Sequence, residues 1–517
     1  MKNYDVAVIG GGINGAGIAR ELAYRGLSVA LFEQDDFAAH TSSASSKMLH
    51  GGLRYLEQAQ FKLVFEALHE RLQLLKMAPH LVKPLAFVLP IYKKGRRPAW
   101  LYRFGVWLYD RLAGKANFEE HVWLSKEAVL AQFPGLKAEG LMGAIRYWDA
   151  QMDDARLCLE NVLQARQFGA DVFNYTSVTQ VLPCEGGVSL TLSPRSGEGW
   201  CVVAKEVVLA TGAWADQILV GKHHPVRPSK GIHVVVNRPA PVDALVLESP
   251  TDARIFFILP WQGLTLIGTT DADYAGDLSR VQVSQDEILS LLAEANAHLD
   301  DSLSLSDVIS AFAGLRPLLS SVGKSTAGLS REHRFSKLSP HLWMVSGGKY
   351  TTYRLLAETV AQKLWSVLGK TEPFADAKSL PLYGGEMVSV RDHLTRFSSD
   401  DLDLYSVSKE VYGRILRRYG SAYPQVLERV VGAPDGQMPL GTTEYVVGEV
   451  IYMVQVEMAQ TLLDVFRRRT VLLLLPDHGR SALESVLKIM AHQLNWSDQR
   501  QAEERAAYEE AIHDFIR

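Results

Sequence analysis

A glycine-rich turn between a short apolar run and a helix-like segment is the feature that most constrains the fold of this chain. The run Tyr4–Ile9 is rich in β-branched residues, as a buried parallel strand requires, and leads into Gly10–Gly15 (GGGING), a G-x-G-x-x-G motif. Residues Ala16–Arg25 are predicted to form a helix that stops at Gly26. This order predicts the first βαβ unit of an α/β nucleotide-binding domain.

The glycines of this turn have separate physical roles. Gly10 permits the tight turn, Gly12 lets a pyrophosphate approach the backbone, and Gly15 lets the helix pack against the strand. The amino terminus of the helix then faces the phosphates with its partial positive charge. A second predicted strand, Ser28–Phe32, ends in Glu33, which is placed to accept a hydrogen bond from a ribose 2′-hydroxyl. We predict a dinucleotide site; a glycine turn that serves packing alone is the alternative.

Composition excludes several other classes of protein. A chain of 517 residues is too long for one core, and 47% hydrophobic with 22% charged residues is typical of a globular protein. The net charge of −4 argues against a general nucleic-acid binder. The three cysteines, Cys158, Cys184 and Cys201, contain no C-x-x-C pair, so we expect a reducing compartment and no metal site. No apolar run is long enough to span a bilayer. Because a predicted strand and glycine turn occupy Tyr4–Gly15, we expect no signal peptide.

The segment Thr41–Tyr55 helps to separate FAD from NAD, which the glycine motif alone does not. Its small hydroxyl side chains and paired glycines fit a second stretch of chain lying along an extended cofactor; a plain polar loop is the alternative. The run Val207–Gly212 is predicted to be a buried strand of the nucleotide-binding sheet. Leu342–Thr352 is predicted to be a strand and glycine turn before a helix, with Thr351 or Thr352 as its N-cap. That helix amino terminus would stabilise negative charge on a reduced flavin.

Six sequence blocks along the chain identify a family. They are Gly10–Gly17 (GGGINGAG), Thr41–Tyr55 (TSSASSKMLHGGLRY), Lys230–His233 (KGIH), Gly268–Asp271 (GTTD), Gly314–Leu318 (GLRPL) and Gly347–Tyr353 (GGKYTTY). In this order, the blocks resemble the FAD-dependent glycerol-3-phosphate dehydrogenases, the membrane-associated type that passes electrons to quinone. Glu457–Leu462 and Arg468–Thr470 resemble the helical C-terminal domain of that family, whereas Val471–Leu475 departs from its polar or basic pattern.

The resemblance implies a cofactor and a reaction. The cofactor is FAD, and the reaction is oxidation of sn-glycerol 3-phosphate to dihydroxyacetone phosphate by hydride transfer to FAD, with electrons passed to a membrane quinone. The residues that it places at the cofactor are Gly10, Gly12, Asn14, Gly15, Glu33, Thr41, Ser42, Ser43, Ser45, Ser46, Lys47, His50, Gly51, Gly52, Ala210, Thr211, Gly212, Gly348, Lys349, Thr351 and Thr352.

The predicted fold is α/β, with a Rossmann-type FAD-binding domain of the glutathione-reductase/amino-acid-oxidase type, an inserted antiparallel-sheet substrate domain and a C-terminal all-α domain. The FAD-binding domain is predicted in three parts, 1–75, 146–225 and 314–375. The other parts are a substrate or membrane-facing part at 76–145, the substrate sheet at 226–313 and the helical domain at 390–517. Within the sheet we predict strands at Ile255–Trp261, Thr265–Asp271 and Gly231–Asn237. C-terminal helices are predicted near 403–420, 444–469 and 480–515.

Oxidation of a secondary alcohol requires anchors for the charged end of the substrate and a base for the hydroxyl proton. Because a guanidinium fork suits a phosphate, Arg316 is the predicted phosphate anchor, presented from a loop before Pro317. His50 and His233 both remain candidates for the proton acceptor. The resemblance implies the catalytic residues Arg54, Tyr55, His50, His233, Arg316 and Lys349, and the substrate-binding residues Arg54, Tyr55, Thr270, Arg316 and Arg331.

Other functions remain open on the same fold. A glycerol-3-phosphate oxidase would pass electrons to oxygen, but the short segment between Arg331 and Gly347 favours the dehydrogenase. An amine or amino-acid oxidase explains the flavin and the anchoring arginine, but not the serine-rich block. A flavin-binding regulatory protein without turnover is a third alternative, although Arg316 and Lys349 are both present.

A basic and aromatic window predicts contact with a membrane surface. Between Lys93 and Arg111 the chain carries six basic residues against one acid, interleaved with Trp100, Phe104 and Trp107 among other apolar side chains. A helix over Ala99–Ala113 would lie in the interface of an anionic membrane; a core helix is the alternative. We therefore expect a cytoplasmic protein that lies on the inner face of the cell membrane as a peripheral protein. A homodimer is a separate expectation about its assembly.

Overall fold

The described part of the chain forms two β-sheets and a helical C-terminal region. The computed structural model describes residues 2–215, 226–252, 254–319, 333–396 and 407–516. Its strands are β1 (Lys2–Ile9), β2 (Val29–Phe32), β3 (Met48–Leu49), β4 (Val82–Tyr92), β5 (Val122–Ser125), β6 (Leu141–Met152), β7 (Asp171–Phe173), β8 (Thr176–Cys184), β9 (Gly187–Pro194), β10 (Trp200–Leu209), β11 (Val226–Val236), β12 (Ala244–Glu248), β13 (Ile255–Trp261), β14 (Leu264–Gly268), β15 (Ala272–Asp273), β16 (Val308–Leu319), β17 (His333–Ser339) and β18 (Leu342–Gly347). Its helices are α1 (Ile13–Tyr24), α2 (Phe61–Met77), α3 (Ala99–Ala113), α4 (Lys126–Gln132), α5 (Asp154–Gln167), α6 (Gln285–Asn296), α7 (Tyr353–Val367), α8 (Val390–Arg396), α9 (Lys409–Tyr419), α10 (Tyr423–Gly432), α11 (Val447–Gln455), α12 (Leu462–Asp464), α13 (Arg480–Leu494) and α14 (Asp498–Ile516).

The first sheet contains the predicted nucleotide-binding unit. Its strand order is β17-β18-β10-β1-β2-β7, and β9 also pairs with β10 and β8 with β9. The pairs that join β18, β10, β1, β2 and β7 are parallel, so the carboxyl ends of these strands meet at one edge, where open α/β sheets bind ligands. Helices α1, α5 and α7 pack on this sheet through a buried core that includes Ile18, Leu22, Leu159 and Leu356.

The second sheet is the predicted antiparallel insertion. Its strand order is β15-β11-β14-β13-β12-β4-β6-β3, with β16 paired to β11 and β5 to β6. Its pairs are antiparallel apart from β12 with β4. Alternation along β11 places Ile232 and Val234 in the core beside α6 and Val235 in the core beside α3. His233 therefore shares the face of Val235. The predicted fold class is confirmed, and the predicted domain boundaries stay predictions.

The C-terminal region is divided into more helices than the sequence predicted. The predicted helix at 444–469 is interrupted after Gln455, because Met458 has a φ of 59° and Thr461 caps a new helix with its side chain. The predicted helix at 480–515 breaks at Asn495, which adopts the left-handed conformation that asparagine tolerates. In the first predicted helix, α9 begins after the N-cap Ser408, and residues 403–406 lie outside the described residues.

The prediction that Arg316 lies on a loop is wrong. Arg316 lies within β16, where it pairs with Ser229 of β11. Pro317 does not interrupt this pairing, because it faces Pro228 and no other strand pairs with β16 in the described part of the chain. Proline is tolerated on an edge strand, where its missing N–H leaves no partner unsatisfied.

Helix α3 has the predicted bounds, Ala99–Ala113, after Pro98 and before Gly114, whose φ is 50°. Its inner face buries Val106, Tyr109 and Ala113. Its outer face exposes a row of apolar side chains: Trp100 (67%), Leu101 (36%), Phe104 (52%) and Trp107 (44%). Among the described helices, none combines the length and the apolar character needed to cross a bilayer.

Candidate active site

A cavity of about 1060 Å³ runs from the glycine turn after β1 to the second sheet. Small-molecule sites usually enclose about 300–1,000 Å³, so this cavity has room for a dinucleotide together with a small substrate. The predicted site residues that line it are Gly10, Gly12, Asn14, Glu33, Thr41, Ser42, Ser45, Ser46, His50, Gly52, Arg54, Tyr55, Ala210, Thr211, Gly212, His233, Thr270, Arg316, Gly348, Lys349 and Thr351. Gly15, Ser43, Lys47, Gly51 and Thr352 do not line it, and Arg331 lies outside the described residues.

The nucleotide end of the cavity is formed by the glycine turn and the end of β2. Glu33 is buried there and accepts hydrogen bonds from Gly11 N at 2.6 Å and Asp35 N at 3.0 Å. Burial raises the pKa of Glu33, and these backbone donors act against that shift. Ser42 Oγ accepts from Ile13 N at 2.9 Å, so the serine-rich segment is tied to the first turn of α1.

The serine-rich segment is anchored on a carboxylate that the sequence analysis missed. Asp154 is fully buried at the start of α5 and accepts from Ser45 Oγ at 2.7 Å and Lys47 Nζ at 2.6 Å. Lys47 Nζ also donates to Ser43 O at 2.6 Å. Lys47 is thus bound to protein groups behind the cavity wall. In the sequence, Asp153 and Asp154 look like the acidic residues that commonly begin a helix. Only the fold shows that the side chain of Asp154 points toward the serine-rich segment.

His233 lies at the end of the cavity that the second sheet forms, where the sequence predicts the substrate. Its Nε2 is 2.8 Å from Ser46 Oγ, and its ring stacks on Phe312 with 5.0 Å between centroids. Burial lowers the pKa of His233 well below its usual value, and the positive charges of Arg316 and Lys47 act in the same direction. The imidazole is therefore neutral near pH 7 and can accept a proton. His50 also lines the cavity, so both predicted histidines are at the site.

The guanidinium of Arg316 points into the same end. Its Nη2 donates to Thr269 Oγ1 at 2.9 Å and to Thr270 O at 3.1 Å, and Nη1 lies 3.5 Å from Asp271 Oδ1. A Cβ on Gly231 would lie 2.4 Å from Nη2, so glycine at this position leaves space for the guanidinium in its present orientation. The KGIH and GTTD blocks therefore surround the arginine.

A second arginine at this end was missed by the sequence analysis. Arg254 lines the cavity, donates to Thr269 O at 2.5 Å and binds both carboxylate oxygens of the buried Glu294. Its position just before β13 gave no sequence signal, because its partners are Thr269, which follows β14, and Glu294 of α6. Arg254 supports the backbone that contacts Arg316.

The glycine–lysine turn after β18 brings Lys349 to the cavity. Its Nζ lies 3.5 Å from the centroid of the Tyr55 ring and 3.5 Å from Gly51 O. The predicted N-cap is only partly right. Thr352 occupies the cap position of α7, but its hydroxyl donates to Lys349 O at 3.4 Å and makes no capping bond. Thr351 belongs to a short 3₁₀ turn that precedes the helix.

Comparison with known proteins identifies the family. A family model described as FAD dependent oxidoreductase matches residues 5–363, and one described as the C-terminal domain of alpha-glycerophosphate oxidase matches residues 375–501. A glycerol-3-phosphate dehydrogenase of Synechocystis is 36% identical, covering 96% of this chain and 94% of its own length. The chain belongs to the FAD-dependent glycerol-3-phosphate dehydrogenase family. The predicted family and the predicted cofactor, FAD, are confirmed.

Two further relatives agree with this membership. A glycerol-3-phosphate dehydrogenase of Pseudomonas aeruginosa is 39% identical, covering 90% of this chain and 91% of its own length. A crystal structure of a Bacillus halodurans glycerol-3-phosphate dehydrogenase, described as complexed with FAD, covers 100% of this chain and 96% of its own. Its TM-score is 0.82 and its sequence identity 29%. The likeness thus extends through the C-terminal helices.

The residues of this member of the family fit FAD by their own geometry. A Cβ on Gly10 would lie 2.6 Å from Ala210 O, and one on Gly15 would lie 1.8 Å from Gly10 O, so the turn requires glycine at both positions. The hydroxyl oxygen of Thr211 is buried without a hydrogen-bond partner in the described part of the protein, which fits a polar cofactor group at this wall. The N-cap of α1 is Gly12, which has no side chain of its own to cover the helix start, and this suits a phosphate-binding helix terminus.

Proposed function

We propose that the protein oxidises sn-glycerol 3-phosphate to dihydroxyacetone phosphate, using FAD as the acceptor. The observation that carries the proposal is one cavity that joins the dinucleotide turn to a buried imidazole, that of His233, and to the inward-pointing guanidinium of Arg316. The names of relatives that align with nearly the whole chain support the same substrate. The match to the FAD dependent oxidoreductase model alone leaves the substrate class open. A phosphate group requires a fixed cation, and Arg316 supplies one at the cavity.

The two ends of the substrate are assigned to different side chains. Arg316 holds the phosphate through its planar donors, and Arg54, which also lines the cavity, contributes a second guanidinium. His233 takes the hydroxyl proton at Nε2, the ring nitrogen that contacts Ser46 Oγ. Lys349, held over the ring of Tyr55, would stabilise the negative charge of the reduced cofactor. FAD, when bound, supplies the acceptor for the hydride that leaves the carbinol carbon with its electron pair.

The test is anaerobic mixing of the FAD-loaded protein with sn-glycerol 3-phosphate while the flavin absorbance is recorded. We expect the oxidised flavin band to bleach with this substrate, to bleach far more slowly with unphosphorylated glycerol, and to remain with glycine at the same concentration. Bleaching by glycine alone would favour an amino-acid oxidase, and no bleaching by any of the three would support a flavin-binding protein without turnover.

We also propose that the electrons pass to a membrane quinone and that the protein lies on an anionic membrane surface. The outer face of α3 supports this, because Trp100 and Phe104 are exposed and Phe104 also lines the cavity. Leu101, Tyr102, Gly105 and Leu108 of the same helix line the cavity as well. On this proposal, a lipid-dissolved acceptor approaches the cavity from the bilayer surface past α3. A peripheral location on the inner face of the cell membrane and a homodimer stay predictions.

The acceptor is tested by steady-state assays with a soluble quinone analogue and with oxygen. We expect turnover with the quinone to exceed oxygen consumption by at least about tenfold. Fast hydrogen peroxide formation with slow quinone reduction would identify an oxidase instead.

A further inference from the structure

A fully buried carboxylate joins the nucleotide end of the cavity to the C-terminal helices. Asp36 follows Glu33 by one short turn, and both side chains are buried. Its partners are two consecutive arginines from the far end of the sequence. Arg469 Nη2 donates to Asp36 Oδ1 at 2.9 Å, Arg469 Nη1 donates to Oδ2, and Arg468 Nε donates to Oδ2 at 2.6 Å. The C-terminal region thus holds this one carboxylate with three charge-assisted hydrogen bonds.

The loop that carries Asp36 is a wall of the cofactor cavity. Gln34, Ala38, Ala39 and His40 line the cavity on both sides of Asp36 in sequence. The loop also touches the glycine turn itself: Ala38 N donates to Gly11 O at 3.2 Å, and the ring of Phe37 fills the space that a Cβ on Gly11 would need. A shift of Asp36 would therefore move both the wall and its contact with the phosphate-binding turn.

The arginines are held rigidly on the C-terminal side. Arg468 and Arg469 end a π-helical turn, Val465–Arg469, and both reach the same carboxylate although they are adjacent in sequence. Arg468 Nη2 donates to Asp464 Oδ1 at 2.5 Å, and Arg469 Nη2 donates to Glu457 O at 2.6 Å.

The cluster is balanced in charge. Two carboxylates, Asp36 and Asp464, face two guanidiniums, all of them buried. Burial alone would raise the pKa of Asp36, but Arg469 and Arg468 outweigh it and lower the pKa. Asp36 is therefore ionised across the neutral range. Loss of one member would leave a buried charge uncompensated.

We propose that Asp36 and Arg469 are positioning residues for FAD, through which the C-terminal helical region holds the nucleotide-side wall closed and limits the rate of FAD release. This gives the C-terminal region a role that is separate from substrate chemistry. The role does not depend on which substrate or electron acceptor the protein uses.

A second buried ion pair between the same two regions provides a matched control. Arg156 of α5 donates to Glu457 Oε1 at 2.8 Å, and both side chains are almost fully buried. Neither residue lines the cavity. Glu457→Gln should loosen the contact between the C-terminal region and α5 as much as the test variants do. Only a change at Asp36 or Arg469 should also displace the cavity-wall loop that carries Asp36.

The experiment measures FAD release without substrate. Wild type, Asp36→Asn, Arg469→Lys and Glu457→Gln are purified with FAD and diluted, and the rise in free flavin fluorescence is followed together with the unfolding temperature of each apoprotein. Arg469→Lys keeps the charge but loses the paired donors, so it decides the question if Asp36→Asn fails to fold. We expect the Asp36 and Arg469 variants to release FAD at least about tenfold faster than wild type, as loss of a charge-assisted hydrogen bond predicts.

Glu457→Gln is expected to release FAD within about twofold of the wild-type rate, even where its apoprotein unfolds at a temperature as low as that of Arg469→Lys. Release at the wild-type rate from Arg469→Lys would overturn the proposal. Equal acceleration by Glu457→Gln would also overturn it, because the effect would then reflect general loosening between the regions. Neither result would bear on whether the protein oxidises glycerol 3-phosphate.

Discussion

The ammonium group of Lys349 lies 3.5 Å from the centroid of the Tyr55 ring, although the two residues belong to segments far apart in sequence. A desolvated cation over an aromatic face is stabilised by roughly 0.5–2 kcal/mol. Gly52 makes this contact possible, because a Cβ there would lie 2.3 Å from the Tyr55 ring and 3.3 Å from Lys349 Nζ. The ring thus fixes the only lysine of the GGKYTTY block at the cavity wall.

This contact predicts that the ring of Tyr55 matters for the chemical step. Tyr55→Leu should slow anaerobic flavin reduction by glycerol 3-phosphate about tenfold, because Lys349 loses its fixed position. Tyr55→Phe keeps the ring and serves as the control, with a rate near that of wild type. The measurement is stopped-flow absorbance of the flavin. An equally slow Tyr55→Phe would show that the hydroxyl group, rather than the ring, is what the reaction needs.

The position of Arg316 predicts a loss that depends on the substrate phosphate. Arg316→Ala should lower kcat/KM for glycerol 3-phosphate about a hundredfold, and Arg316→Lys should lower it less, because lysine keeps the charge without the paired donors. The poor activity with unphosphorylated glycerol should change little. Steady-state kinetics with both substrates test this. Equal proportional losses would place the arginine at the reacting end instead.

The environment of His233 predicts a pH profile. Because burial and two cations lower its pKa, the acidic limb of kcat/KM should lie below pH 6.5, with activity rising as the imidazole loses its proton. His233→Gln should remove this limb together with most of the activity, whereas His50→Gln should keep it. A limb that vanishes in His50→Gln and persists in His233→Gln would assign proton acceptance to His50.

The lowered pKa of His233 also predicts that the stability of the fold changes with pH. The folded pKa of His233 lies below the unfolded value of 6.5, so the unfolded chain binds the extra proton as the pH falls through that value. The contribution of His233 to the free energy of unfolding is therefore lost on acidification below about pH 6.5 and is retained above it. Urea denaturation of wild type and His233→Gln between pH 5 and pH 8 should show a smaller pH dependence in the variant.

The position of Glu33 predicts that its removal weakens FAD binding. Its carboxylate binds two backbone amides at the nucleotide end and is placed to accept from the adenosine ribose. Glu33→Ala should weaken FAD binding roughly ten- to a hundredfold, since a hydrogen bond to a charged group contributes about 1.5–3 kcal/mol. Equilibrium titration of the apoprotein with FAD measures the loss. A folded variant with wild-type affinity would remove Glu33 from the cofactor site.

The membrane proposal predicts weaker vesicle binding when basic charge is removed beside α3. Lys93, Lys94 and Arg96 are exposed, whereas Arg97 donates to Glu57 at 2.6 Å and is left unchanged. Changing the three exposed residues to Gln should reduce co-sedimentation with anionic vesicles, by about 1 kcal/mol for each charge, and leave neutral vesicles unaffected.

The matched control removes three exposed lysines elsewhere, and the residues changed to Gln are Lys363, Lys409 and Lys488. It should bind anionic vesicles nearly as well as wild type. If both variants bind alike, the basic window is not the anchor, and α3 is an exposed helix with another role.

The sequence by itself determined the parts whose geometry is local. The strand, glycine turn and helix at the start of the chain follow from steric requirements within one short segment, and Pro98 and Gly114 set the ends of α3. The six family blocks, read in order, were sufficient for FAD and for the family. The helix breaks at Met458 and Asn495 were not predicted, because these residues adopt a positive φ without being glycine, the residue that normally indicates such a conformation.

Only the tertiary structure decided how the distant charges pair. Lys47 binds Asp154 behind the cavity wall, Arg316 lies on an edge strand, and Asp36 meets Arg469 across more than four hundred residues. The pKa of His233 likewise depends on burial and on cations from other segments. No local sequence pattern encodes these ion pairs or this pKa shift. Desolvation and ion pairing depend on which groups the tertiary fold packs together, and the distance between residues along the sequence does not reveal which groups those are.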